Sequence, residues 1–191
     1  MNIKLVSIRP PKMQTKTLKL REEFWSEVPE EDLWHRKRQD GWITIPRTMP
    51  IVVNIINALT KNASAGNTYF CLWCRSFDEQ VIDIHNPSDL AAESGFSGER
   101  AVYTWKQRMK SLRDLGFIDS RAGSHEYQVV LLLNPHKVIK RMKGKIPGYL
   151  YTQLFNRALD IKAKDLTEDD AKPIVEEETK EKPEQKEGGE D

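Results

Sequence analysis

Between His85 and Leu133 the chain is punctuated closely enough to dictate the order of its elements. Asn86 is placed to cap a helix, Pro87 presets φ at its first position, and Asp89 lies in its first turn. Gly95 stops that helix where a left-handed residue is needed. Ser97 is placed to cap a second helix, Ser97–Leu115, along which Ala101, Val102, Trp105, Met109, Leu112 and Leu115 recur at helical spacing. Gly116 closes it. Phe117–Ser120 and Glu126–Leu133 read as strands joined by a turn at Arg121–Ser124. The segment therefore predicts two helices linked by a tight turn, followed by a β-hairpin.

The flanking residues carry weaker signals. Residues 1–46 read as an arm: an apolar-alternating start (Ile3, Leu5, Ile8), then short helices at Glu22–Val28 and Glu30–Arg36, then a strand-like Trp42–Ile45 run closed by Pro46. An amphipathic helix is predicted at Thr48–Lys61, with Met49, Val52, Val53, Ile56 and Leu59 on one face. A second is predicted at Thr68–Phe77, capped by Asn67 and placing Phe70, Trp73, Cys74 and Phe77 together, and is followed by a short Gln80–Ile84 strand. Asn134-Pro135 repeats the cap-plus-proline signal and starts a basic helix. Tyr149–Lys162 is a last amphipathic helix, with Leu150, Leu154 and Ala158 on its stripe. The fold class this predicts is α+β, mostly α, with a central domain at 47–145 and a C-terminal helix at 146–163. The remainder, 164–191, is expected to be an acidic disordered tail because it has almost nothing to bury.

The formal net charge of +1 conceals a segregation. Residues 1–159 hold 24 basic and 16 acidic side chains, whereas Asp160–Asp191 holds 6 Lys and 13 acids. A basic body with an acidic tail suits a polyanionic partner; a solvated Lys/Arg surface is the competing reading. No apolar run nears the ~20 residues that span a bilayer. Arg9, Lys12 and Lys16 interrupt any secretory-type stretch, and two Cys without framework spacing suit a reducing compartment, so a cytoplasmic location is expected. Cys71-Leu72-Trp73-Cys74 lacks a second ligand pair for zinc and the βαβ setting of a redox dithiol, so both Cys read as packing residues. His85 and His136 flank Asn-Pro helix starts and need no catalytic role. No nucleophile motif, phosphate-cradling loop or paired-carboxylate constellation is visible, and neither an enzyme nor a cofactor is expected.

Leu90-Ala91, Gly95-Phe96-Ser97 and Leu112-Arg113-Asp114-Leu115-Gly116-Phe117-Ile118 together resemble the winged helix–turn–helix superfamily. The likeness is greatest to domains of phage and plasmid replication initiators and of bacterial repressors, and covers about residues 67–133. The Gly95-to-Gly116 interval is about one helical turn longer than the family's pattern. The resemblance implies a winged helix–turn–helix with extra N- and C-terminal helices that binds double-stranded DNA. Its role would be transcriptional regulation, or replication or maintenance of a mobile element. A homodimer would match paired half-sites, with Tyr149–Leu159 or the N-terminal arm as interface.

Burying Ala101, Trp105, Met109 and Leu112 turns Arg100, Tyr103, Thr104, Gln107 and Lys110 toward solvent. These side-chain types read bases and phosphates: Arg pairs guanine, Gln pairs adenine, Thr meets a thymine methyl, and Lys and Tyr hold phosphate. Ser97, with Gly98 and Glu99, offers backbone N–H groups to a phosphate at a helix N-terminus. Arg121, Ser124 and His125 lie at the wing. Arg36-Lys37-Arg38 and Lys137–Lys145 are candidate auxiliary phosphate contacts, each also readable as a solubilising surface. The rival function is a non-enzymatic adaptor whose winged helix binds protein, with Trp25 and Trp34 as docking elements.

Overall fold

The computed structural model describes residues 12–167, and the chain divides into two compact units after Thr44. Among the described residues there are eight helices and one three-stranded antiparallel sheet, a mostly helical α+β arrangement. The apolar-alternating start at Ile3–Ile8 and the tail from residue 168 onward lie outside the described residues.

In the first unit, helix α1 is Lys12–Phe24 and a single 3-10 turn occupies Glu30–Asp32. The expected helices at Glu22–Val28 and Glu30–Arg36 are thus replaced by one longer helix that ends earlier. Pro29 disfavours helical backbone at Val28, so α1 cannot run on through it. Glu30 then sits between two cations, Arg21 at 3.1 Å and Arg38 at 2.8 Å, which hold its carboxyl below the usual range. Trp42–Ile45 carries no strand, because extended backbone becomes a strand only when a neighbour meets its N–H and C=O groups.

The second unit begins with α2 (Met49–Thr60), which buries Met49, Val52, Ile55 and Ile56. Helix α3 (Gly66–Arg75) crosses it closely: a Cβ at Gly66 would stand 2.7 Å from the Val53 carbonyl oxygen. The buried face of α3 is Tyr69, Leu72 and Trp73 with Cys71, whereas Phe70, Cys74 and Phe77 are exposed. Of the four residues that the sequence places together, only Trp73 joins the core. Because α3 is held by α2, α4 and α5, its burial follows those neighbours and not the largest aromatic stripe.

Strand β1 (Val81–Asp83) pairs with β3 (Val129–Leu132), and β3 pairs with β2 (Ile118–Arg121), giving the order β1-β3-β2. Ile82 faces Val130 and Ile118 faces Leu132, and all four are buried while Val81, Val129 and Leu131 are exposed. This period-2 alternation presents one sheet face to the helices. Helices α4 (Pro87–Glu93) and α5 (Ala101–Asp114) lie between β1 and β2 in the chain. Trp105, Tyr69, Tyr127 and Phe117 fill the core, with Trp105–Tyr127 and Tyr69–Phe117 ring centroids 5.9 and 5.4 Å apart, edge to face.

After β3 come α6 (Pro135–Arg141), α7 (Gly148–Ile161) and α8 (Lys164–Thr167). Asn134 caps α6 by accepting hydrogen bonds from the His136 and Lys137 backbone N–H groups. α7 lays Leu150, Leu154 and Ala158 toward α2, so this helix shares the core of the second unit. α8 corrects the expected start of the disordered tail at 164: Leu166 is buried and Asp165 meets His136. Burial of one Leu and one hydrogen-bonded carboxylate anchors a turn that composition alone assigned to the tail.

Candidate nucleic-acid interface

The Asn86 side chain accepts from the Ser88 N–H, and its amide donates to the Asp89 carboxylate at 2.8 Å, so α4 starts where the sequence places it. Leu90 and Ala91 anchor it to the core. Gly95, at φ +87, closes it, and the Phe96 N–H reaches back to the Ala91 carbonyl at 2.9 Å. Asn67, expected to cap α3, instead lies within that helix and donates to the Ser94 carbonyl.

α5 begins at Ala101 and not at Ser97. Gly98 adopts φ +77, which a right-handed helix cannot contain, and its carbonyl accepts from the Ala101 N–H at 3.0 Å. Ser97–Arg100 is therefore an exposed turn, and Arg100 occupies the cap position without a side-chain capping bond. The N–H groups of Ser97, Gly98 and Glu99 consequently do not form a helix N-terminus.

Along α5, Trp105, Met109 and Leu112 are wholly buried, and Arg100, Tyr103, Gln107 and Lys110 are exposed on the opposite side. Thr104 is half-buried. The Arg100 guanidinium lies 5.4 Å from the centre of the Tyr103 ring, which pre-orders both side chains. Lys110 is ion-paired with Asp114 one turn along. Arg113 reaches Glu126 at 3.0 Å and covers the Tyr127 ring at 5.1 Å.

Arg121 and Ser124 lie apart from this ridge, at the end of β2 and in the β2–β3 connection. Arg121 pairs with Asp119 at 2.8 Å, and the Ser124 hydroxyl donates to the Gln128 amide oxygen. The connection is anchored: Tyr127 is buried against Trp105, and the His125 Nε2 lies 2.7 Å from the Ile84 carbonyl oxygen. Asp119 is held below the usual carboxylate range by the Ser120 N–H and by Arg121.

Lys110, Arg113 and Arg121 thus share their charge with carboxylates. Arg100, Lys106 and Arg108 have no carboxylate partner among the described residues. Arg108 was not evident as a site residue from the sequence. Its guanidinium covers the Phe96 ring at 5.5 Å, a contact across the turn that no periodicity announces. Among the auxiliary clusters, Arg38 is engaged by Glu30 and Arg36 lies 6.0 Å over Trp42, while Lys137, Arg141, Lys143 and Lys145 are exposed.

Two other groups bear on chemistry. Burial pushes the buried Cys71 thiol up, and partial desolvation by its neighbours together with the Glu93 charge raises the more exposed Cys74 thiol, so neither is poised as a thiolate. Thr48, His136 and Asp165 line up as hydroxyl, imidazole and carboxylate, 2.7 Å and 2.9 Å apart. The Thr48 hydroxyl is wholly buried, and the line acts as a brace between α2, α6 and α8. Compared with known protein families, curated proteins and solved structures, the chain matches none.

Proposed function

We propose that residues 66–132 form a winged helix–turn–helix and that the chain binds double-stranded DNA in a sequence-specific way. Its role on this reading is that of a transcriptional regulator or of a replication or maintenance factor of a mobile element. The observation that supports it is the ridge Arg100–Tyr103–Gln107–Lys110, presented opposite the buried Trp105–Met109–Leu112 stripe. A helix held from behind by a Trp-centred core can enter a major groove without repacking. Arg100, pre-ordered on Tyr103, can donate twice to a guanine edge, and Gln107 can donate to N7 and accept from N6–H of an adenine. Lys106 and Arg108 are the cations on this helix that can meet phosphates without first leaving a carboxylate. Lys110 and Arg121 do so by exchanging Asp114 and Asp119 for phosphate oxygens, with Ser97, Thr104 and Ser124 as polar contacts at the margin. Paired half-sites favour a homodimer, for which the exposed Tyr149 and Leu159 of α7 are available.

The internal ion pairs of Lys110 and Arg121 favour a second reading, an adaptor that presents this face to a protein. Selection of bound duplexes from a random pool, followed by titration of the selected site against salt, separates the two. DNA binding predicts an enriched sequence and a steep linear fall of log K with log salt, whereas an adaptor gives neither.

A further inference from the structure

We infer that the groove between α6, α7 and α8 is the seat of the chain's own acidic segment Ile174–Glu178. This goes beyond the DNA reading and does not depend on it. The groove has a volume of 650 Å³, with Lys140, Lys143, Tyr151, Phe155, Leu166 and Thr167 among its walls. Tyr151 and Phe155 stand one turn apart on α7 and form an aromatic side. The Lys143 ammonium lies 5.0 Å from the centre of the Tyr151 ring, at the rim of that side. From Lys137 to Leu159 the chain carries 6 cations and no carboxylate. An apolar slot rimmed by cations suits a peptide with an apolar anchor and acidic flanks.

The chain supplies such a peptide at the right place. Thr167, the last described residue, is itself a wall of the groove. Beyond it the sequence runs Glu168-Asp169-Asp170-Ala171-Lys172-Pro173-Ile174-Val175-Glu176-Glu177-Glu178. Ile174-Val175 is the sole pair of large apolar residues after Thr167, and three Glu follow it directly. The stretch from Thr167 to Ile174 reaches at most about 25 Å when extended, so the anchor can return to the groove without strain. A tether this short also holds the segment at an effective concentration of order millimolar, enough to populate a weak contact. Ile174 and Val175 supply the apolar anchor that the Tyr151–Phe155 side lacks, and Glu176–Glu178 supply charge opposite to that of Lys143.

The test compares amide NMR spectra of the full chain with those of two surface variants, the double substitution Ile174→Ser/Val175→Ser and the single Lys143→Glu. Unmoved resonances at Trp105 and Met109 establish that each variant keeps its fold. The expected result is reciprocal: the first variant shifts the amides of Lys143, Tyr151 and Phe155, and the second shifts those of Ile174–Glu178. Changes confined to the immediate sequence neighbours of each substitution overturn the inference. Reciprocal shifts that fade on dilution also overturn it, since they assign the groove to another copy's segment. Groove shifts seen only after a duplex is added overturn it in favour of a polyanion site.

Discussion

The Thr48 hydroxyl oxygen stands 2.7 Å from Nε2 of His136, 88 residues further along the chain, and both side chains are buried. The other imidazole nitrogen, Nδ1, meets the Asp165 carboxylate oxygens at 3.0 and 2.9 Å. With Nδ1–H donating to the carboxylate, Nε2 is left to accept the Thr48 hydroxyl proton. Every polar group in this brace has its partner, so removing one exposes another to the desolvation cost of about 1–3 kcal/mol for an unpaired buried group.

Burial pushes the Asp165 carboxyl up, but hydrogen bonds from Asn134 and His136 outweigh it and hold the group below the usual carboxylate range. A folded-state value below the unfolded one means stability that is present at neutral pH and lost as pH falls through the folded value. Asp165→Asn should therefore unfold at lower urea than the parent at pH 7. The gap should begin to narrow near pH 4, roughly the ordinary Asp value, and go on narrowing below it. Urea midpoints at pH 7, 4 and 3 check this.

The docking of α8 makes the position of a C-terminal cut consequential. A chain ending at Ala163 loses Asp165 and Leu166, which is 2% exposed, whereas one ending at Thr167 keeps both. The shorter chain should be less stable by about 2–5 kcal/mol, the range for deleting a buried Leu contact. Equal unfolding midpoints for the two chains would show that α8 contributes nothing.

Trp105 is wholly buried on the face of α5 that contacts Tyr127. Trp105→Ala should cost about 3–5 kcal/mol, as for other large buried aromatics. Equilibrium unfolding measures it. Near-parental stability would move Trp105 out of the core and reverse the assignment of the α5 faces.

On the proposed DNA-binding reading, Arg100→Ala should weaken the preferred duplex by about 1–3 kcal/mol and relax preference at one base pair. Lys110→Ala should weaken all duplexes alike and lower the salt slope by about 1. Asp114→Asn releases Lys110 from its pair and should tighten binding to every duplex. Titrations of the three variants against specific and scrambled duplexes at several salt concentrations decide among these outcomes. Parental binding by all three would remove α5 from the interface.

The elements that were legible in the sequence are those fixed by local chemistry. Asn86-Pro87 and Asn134-Pro135 start helices because cap and proline act within one turn, and both caps are made. The α5 stripe was legible because Trp105, Met109 and Leu112 admit one helical face, and the exposed site residues follow as its complement. What the sequence withheld depends on distant partners. Ser97 has the right chemistry for a cap, but left-handed Gly98 moves the helix start to Ala101. Phe70, Cys74 and Phe77, the last of them beyond the end of α3, are spaced as regularly as Tyr69, Leu72 and Trp73, and only contact with α2, α4 and α5 selects between them. The Thr48–His136–Asp165 brace joins three separate segments, and nothing in the spacing of any one of them points to the other two.

The Ser97–Arg100 turn that precedes α5 and the β2–β3 connection differ in how they can change over evolutionary time. Tyr127 plugs the β2–β3 connection into the core and His125 ties it to Ile84, so altering the length of that connection disturbs the packing around Trp105. The Ser97–Arg100 turn is exposed along its length, and nothing lies within 4 Å of a Cβ built at Gly98. Insertions and exchanges there leave the Trp105 stripe in phase while changing which side chain leads α5 outward. Divergent descendants of this chain can therefore acquire new binding preferences at the turn while the β2–β3 connection stays nearly constant.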